Sequence, residues 1–186
     1  GSEMCIRDRG DGPFHGKIAP VSDVPGATTM RVDRTFAFID LSGFTRYTDT
    51  EGDGAATEVL RTFREVVRDA ASSRGVRIAK WLGDGAMLVG VESRPVVEAV
   101  VDIERRVREA DGALPLRAGI SGGPVILFEG DDYIGHAVNM AARLCDEAAP
   151  SGVFVTEESI DADLADVTAE PAGARSLRGV EGPVPL

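Results

Sequence analysis

Two apolar runs, residues 76–82 (VRIAKWL) and 86–91 (AMLVGV), flank the tripeptide Gly83-Asp84-Gly85, and a long amphipathic stretch lies on either side of them. A linker that short joins neighbouring antiparallel strands, so the pair is predicted to be a β-hairpin. A hairpin set between two helices breaks the strict alternation of a parallel α/β sheet. Upstream, Ala56, Val59, Leu60, Phe63, Val67 and Ala70 repeat at helical spacing, with Arg61, Arg64, Glu65 and Arg68 opposite, which predicts a helix over 54–73. Downstream, Val96, Val97, Val100, Ile103 and Val107 predict a second helix over 95–110.

Residues 34–41 (RTFAFIDL) read as a strand ahead of the first helix, and residues 116–121 and 125–128 as two strands split by Gly122-Gly123-Pro124. A third helix is expected over 135–148, a short strand over 153–156, and further strand around 180–186. The order predicts an α+β fold: a ferredoxin-like β-α-β-β-α-β core, its helices on one face of the sheet, with extra C-terminal strands and helices. Residues 1–33, rich in Gly, Pro, Asp and Arg, read as an N-terminal extension, flexible or partly a cloning remnant, ahead of one domain over 34–186.

Charge narrows the function. The formal net charge is −11, and an acidic surface repels phosphate backbones, so no nucleic-acid partner is expected. A metal ion can still screen a nucleotide's triphosphate locally. Cys5 and Cys145, in different settings, form no disulfide framework or zinc spacing, which suits a reducing cytoplasm. Two histidines, His15 and His136, exclude a histidine-rich metal site. The apolar stretches are far shorter than the ~20 residues of a membrane helix, so no membrane association is expected, and no signal peptide is read.

Three groupings carry potential chemistry. Asp40 ends an apolar strand, and Asp84 sits between two glycines at a hairpin tip. Two carboxylates on neighbouring strand ends can share divalent cations, which take oxygen ligands. Lys80 lies on the strand leading into that tip. Asn139 and Arg143, i and i+4 on the third helix, project from one face, and arginine's fork of donors matches phosphate oxygens. Taken singly, each has an ordinary reading: a strand end, a turn residue, a solvated lysine, a solvated helix face. Asp49 to Gly54 mimics a calcium loop, but Leu60 stands where that loop needs a glutamate.

Together the pieces resemble the class III adenylate/guanylate cyclase catalytic domain, of the bacterial, stand-alone, homodimeric type. FAFIDLSGFT resembles that family's first metal motif, AKWLGDG its second, RAGISGGPV its central strand pair, and DYIGHAVNMAAR its most diagnostic stretch. The resemblance implies the nucleotide cyclase fold and an enzyme that closes ATP to 3′,5′-cyclic AMP and pyrophosphate at a homodimer interface. Asp40, Asp84 and the carbonyl of Leu41 would hold two divalent cations, Mg²⁺ or Mn²⁺. Lys80 and Asp132 would read the adenine, Asn139 would orient the ribose, and Arg143 would stabilise charge at the reacting phosphate. Arg178, in an LRGV tail motif, would touch the triphosphate, and Phe44 and Thr45 would border the substrate. The stretch from Val125 to Asp132 is short for the family, Pro124 stands where some relatives place a basic triphosphate contact, and His136 replaces a commoner Asp or Asn. Two further readings remain: a cyclase for GTP or a pyrimidine nucleotide, and a silent dimerising module that binds nucleotide.

Overall fold

The computed structural model describes residues 30–110, 114–128, 132–160, 167–180 and 182–186. The expected N-terminal extension lies outside the described residues up to residue 29. Strand β1 (Met30–Leu41) begins at Met30, four residues before its apolar run, because Met30 to Asp33 pair with the far half of β4 (Leu116–Phe128). Helix α1 (Phe44–Ser73), the hairpin β2 (Arg77–Leu82) and β3 (Gly85–Gly90), and helix α2 (Ser93–Glu109) then precede β4. Next come β5 (Asp132–Ile134), α3 (His136–Glu147), β6 (Val153–Val155), a single 3₁₀ turn, and the small pair β7 (Ala174–Ser176) and β8 (Pro183–Pro185). No helix among the described residues is long and apolar enough to cross a membrane.

The sheet order is β2-β3-β1-β4-β5, with β6 added parallel to β4. Its first four strands pair antiparallel, the arrangement that the β-α-β-β-α-β plan requires. Ala37, Ile39 and Leu41 of β1 face one side, packing with Phe63 and Val67 of α1 and with Val96, Val100 and Ile103 of α2. Phe36 faces the other side with Met87, Val89, Ala137 and Ala141. Both faces are covered, so β3 is buried at every position and shows no polar alternation.

The core helices α1 and α2 share one face, as expected, and the added α3 packs on the other, over Gly119 of β4, where a Cβ would lie 2.2 Å from the Cys145 nitrogen. Two expectations change. The two strands expected around Gly122-Gly123-Pro124 are one continuous β4. Gly122 donates its N–H outward to Ser159 Oγ at 2.7 Å, and Pro124, two residues on, points to that same outer edge. Its missing donor is therefore not needed by β1. Finally, α1 starts ten residues before its amphipathic stretch and kinks at Gly52 (φ 85°). Its first turns lack an apolar stripe, and Thr48 and Thr50 bond back to the Phe44 and Arg46 carbonyls.

Candidate active site

Asp40 lies one residue before the end of β1, opposite Gly85 of β3 on one side and Arg117 of β4 on the other. Arg117 donates two hydrogen bonds to the same carboxylate oxygen, Nε to Oδ2 at 2.9 Å and Nη2 to Oδ2 at 2.7 Å. The other oxygen, Oδ1, faces Gly85, where a Cβ would sit 3.2 Å from it and 2.5 Å from the Ile39 carbonyl oxygen. Glycine at 85 thus lets the hairpin close onto Asp40.

That closure brings Asp84 in. The Leu41 N–H donates to the Asp84 carbonyl at 3.3 Å, tying the end of β1 to the hairpin tip. Burial, and next the charge of Asp40, raise the Asp84 carboxyl above its ordinary range; a backbone hydrogen bond and Arg117 oppose them. Gly83 supplies the left-handed turn (φ 69°). Arg64 of α1 donates to the Gly83 carbonyl at 3.3 Å, and the guanidiniums of Arg64 and Arg68 lie 5.1 and 5.4 Å from the Trp81 ring centre. Phe44 packs partly into the core at the start of α1, with Thr45 beside it exposed.

Lys80 and Asp132 form an ion pair with side chains about half exposed, 48% and 50%. They stand on β2 and β5, at opposite ends of the strand order. In a flat sheet those strands would be about 19 Å apart, so the sheet must coil to join them. Tyr133 marks the coil: its ring meets Phe36 edge-on at 5.1 Å, and its hydroxyl accepts from Arg77 of β2 at 2.9 Å.

Asn139 and Arg143 sit one turn apart on the exposed side of α3, and Arg143 pairs with Asp146 at 3.5 Å. Arg178 is exposed in the turn after β7. Among the described residues, no hydrogen bond or ion pair joins Asn139, Arg143 or Arg178 to Asp40 or Asp84. The chain therefore assembles two clusters, Asp40–Asp84 and Lys80–Asp132, and presents α3's polar pair outward. Arg117 and Arg64 were missed from sequence. Arg117 is one basic residue in an apolar strand, and only its register opposite Asp40 reveals its place.

The residues present fit divalent cations. Two carboxylates and the neighbouring Leu41 carbonyl are hard oxygen donors, and the Asp84 carboxyl, raised first by burial, is raised further by the charge of Asp40 beside it. Together, two carboxylates and one carbonyl supply fewer oxygens than the roughly six or more that each such cation takes, so coordination positions would be left to a substrate's oxygens.

No family model matches the chain. Among curated proteins it is 34% identical over 161 residues to an uncharacterized protein of Mycobacterium tuberculosis, covering 87% of this chain and 42% of that one. It is 31% identical over 178 residues to a pH-sensitive adenylate cyclase of M. tuberculosis (92% and 43% covered), and 32% over 126 residues to an adenylate cyclase of Streptomyces coelicolor (67% and 33%). The chain thus spans less than half the length of these relatives. Among solved structures, adenylate cyclases of Trypanosoma brucei in their monomeric state share its fold at TM-score 0.76 and 19% identity, over 82% of this chain and 86% of that one. An adenylyl cyclase of P. aeruginosa does so at TM-score 0.70 and 22% identity, over 84% and 93%. A fold held in common with these cyclases, and sequence likeness to curated adenylate cyclases, place the chain in the class III adenylate/guanylate cyclase catalytic domain family.

Proposed function

We propose that this domain is an adenylate cyclase that converts ATP to 3′,5′-cyclic AMP and pyrophosphate at the interface of a homodimer. The observation that carries this reading is the pairing of two clusters in one chain: adjacent carboxylates at the end of β1 and the hairpin tip, and a lysine–carboxylate pair across the coiled sheet. Lys80 offers N–H donors and Asp132 an acceptor, complementary to the N1 acceptor and exocyclic amine of adenine; guanine presents the opposite order. Asp40, Asp84 and the Leu41 carbonyl would hold two divalent cations, Mg²⁺ or Mn²⁺. Such cations lower the pKa of the ribose 3′-hydroxyl and neutralise the triphosphate. The 3′-hydroxyl gives its proton to water, its oxygen attacks the α-phosphorus in line, and the bond to the bridging oxygen breaks as pyrophosphate leaves.

The remaining residues orient the substrate and balance charge. Asn139 hydrogen-bonds the ribose. Arg143 donates to the α-phosphate as charge builds there, a contact of the kind worth about 3–4 kcal/mol of barrier. Arg178 meets the triphosphate, and Phe44 and Thr45 border it. Because Asn139 and Arg143 point outward on α3, they serve the carboxylates of a second copy, and a two-fold dimer then holds two identical shared sites. The test is chromatography of products after incubation with each of the four NTPs and Mg²⁺ or Mn²⁺. Cyclic AMP from ATP is expected. Cyclic product from another NTP in preference would overturn the base assignment, and no cyclic product at all would leave a silent nucleotide-binding module. Changing the base pair by Lys80→Glu with Asp132→Cys should cut ATP use far more than GTP use.

A further inference from the structure

Arg117 has an unusual hold on Asp40. A guanidinium meeting a carboxylate commonly gives one N–H to each oxygen. Here both go to Oδ2, while Oδ1 is turned to Gly85 and the hairpin that carries Asp84. The ladder explains this: Asp40 stands between Arg117 on β4 and Gly85 on β3, so its two oxygens look toward different strands. The guanidinium is anchored from behind as well. Its Nη1 donates to the Asp146 carbonyl at the end of α3 at 3.4 Å, and the Arg117 carbonyl accepts from Cys145 Sγ at 3.6 Å.

We propose that Arg117 is a positioning residue that divides the Asp40 carboxylate: Oδ2 stays with the guanidinium and Oδ1 alone is offered to a divalent cation beside Asp84, so that cations bind the free chain weakly and bind tightly only together with a triphosphate. The inference rests on the reading of Asp40 and Asp84 as the cation-holding pair. An arginine cannot shed its charge in a protein, so the positive charge beside Asp40 persists at any working pH. Two carboxylates and one guanidinium leave a single net negative charge where two divalent cations are to be held. The missing negative charge is what a nucleoside triphosphate brings.

The test is Mn²⁺ binding to the whole chain, read by electron paramagnetic resonance, with and without 3′-deoxy-ATP, which lacks the attacking hydroxyl. Arg117→Met should tighten binding of Mn²⁺ alone by about tenfold or more, since it removes a cation next to the site. With 3′-deoxy-ATP present, the same change should alter affinity by less than about threefold, because the triphosphate then dominates the charge. Arg117→Lys keeps the charge and should bind Mn²⁺ alone within about threefold of the parent. Circular dichroism checks the fold; if the methionine variant does not fold, Arg117→Gln carries the same expectation. The inference is overturned if the uncharged variant binds Mn²⁺ alone no more tightly than the parent, or if Arg117→Lys binds it as tightly as Arg117→Met. Asp40→Asn and Asp84→Asn separate the two levels. If neither weakens Mn²⁺ binding with 3′-deoxy-ATP, the metal reading itself fails and takes the Arg117 inference with it. If both do, the Arg117 variants decide alone.

Discussion

Gly119 is where α3 rests on the sheet, and adding one methyl group there tests that packing directly. A Cβ at this position would lie 2.2 Å from the Cys145 nitrogen, 2.3 Å from the Ala141 carbonyl oxygen and 2.6 Å from Leu144 Cβ. These atoms belong to the helix backbone or its first side-chain carbon, so no rotamer change relieves the overlap. To restore ordinary contact, α3 must retreat from β4 by about 1 Å. That movement would also loosen Met140 and Leu144 from Leu177 and Leu186, and Ala137 and Ala141 from Phe36. Gly119→Ala is therefore expected at the upper end of overpacking costs, about 3 kcal/mol. For a chain of this size that lowers Tm by about 6–12 °C. Gly122→Ala is the control: there the nearest atoms are the Ser159 and Thr35 hydroxyl oxygens at 3.2 Å, so the neighbours need shift by only a few tenths of an ångström. It should cost less than about 1 kcal/mol. Thermal melts and urea titrations of both variants give the comparison. A Gly119→Ala protein melting within about 2 °C of the parent, or a Gly122→Ala protein destabilised as much, would refute this account of α3.

Asp84→Asn should remove cyclase activity yet raise the Tm of the metal-free protein at neutral pH. The folded chain raises the Asp84 carboxyl, so its contribution is fully present below the ordinary carboxylate range and lost as pH rises through the raised value. The Tm advantage of the variant in EDTA should accordingly shrink as pH falls, and a gap independent of pH would contradict this. Burial, with the charge of Asp40 next, pushes the Cys145 thiol up to about 12. Iodoacetamide at pH 8 should therefore leave the Cys145 peptide unlabelled in the native protein and label it in urea, as read by mass spectrometry. If the sites are shared across a dimer, Asp40→Ala and Arg143→Ala should each be nearly inactive alone. Co-refolded, they should recover roughly a quarter of parental activity, since half the dimers are mixed and each mixed dimer has one intact site. A mixture that stays inactive despite demonstrated subunit exchange would show that each chain works alone.

Local patterns in the sequence were enough to specify the plan. The Gly83-Asp84-Gly85 punctuation requires a hairpin, and the helical spacing of Phe63, Val67 and Ala70 requires a buried stripe, because turn chemistry and side-chain period act over a few residues. Asp40 and Asp84 were legible as neighbours for the same reason: each ends a segment of an antiparallel pattern. What lies between distant segments was not legible. Pro124 looks like a strand breaker until the outer edge of β4 proves to be where its missing donor falls. Gly119 looks like any strand glycine until α3 crosses it. Family likeness put Lys80 and Asp132 at one base, but the order of strands does not: they meet only because the sheet coils. Arg117 reaches Asp40 only through a register between strands 77 residues apart. Periodicity fixes which face a residue takes within its own element; which residue it meets there is decided by packing, where every neighbour must be satisfied at once.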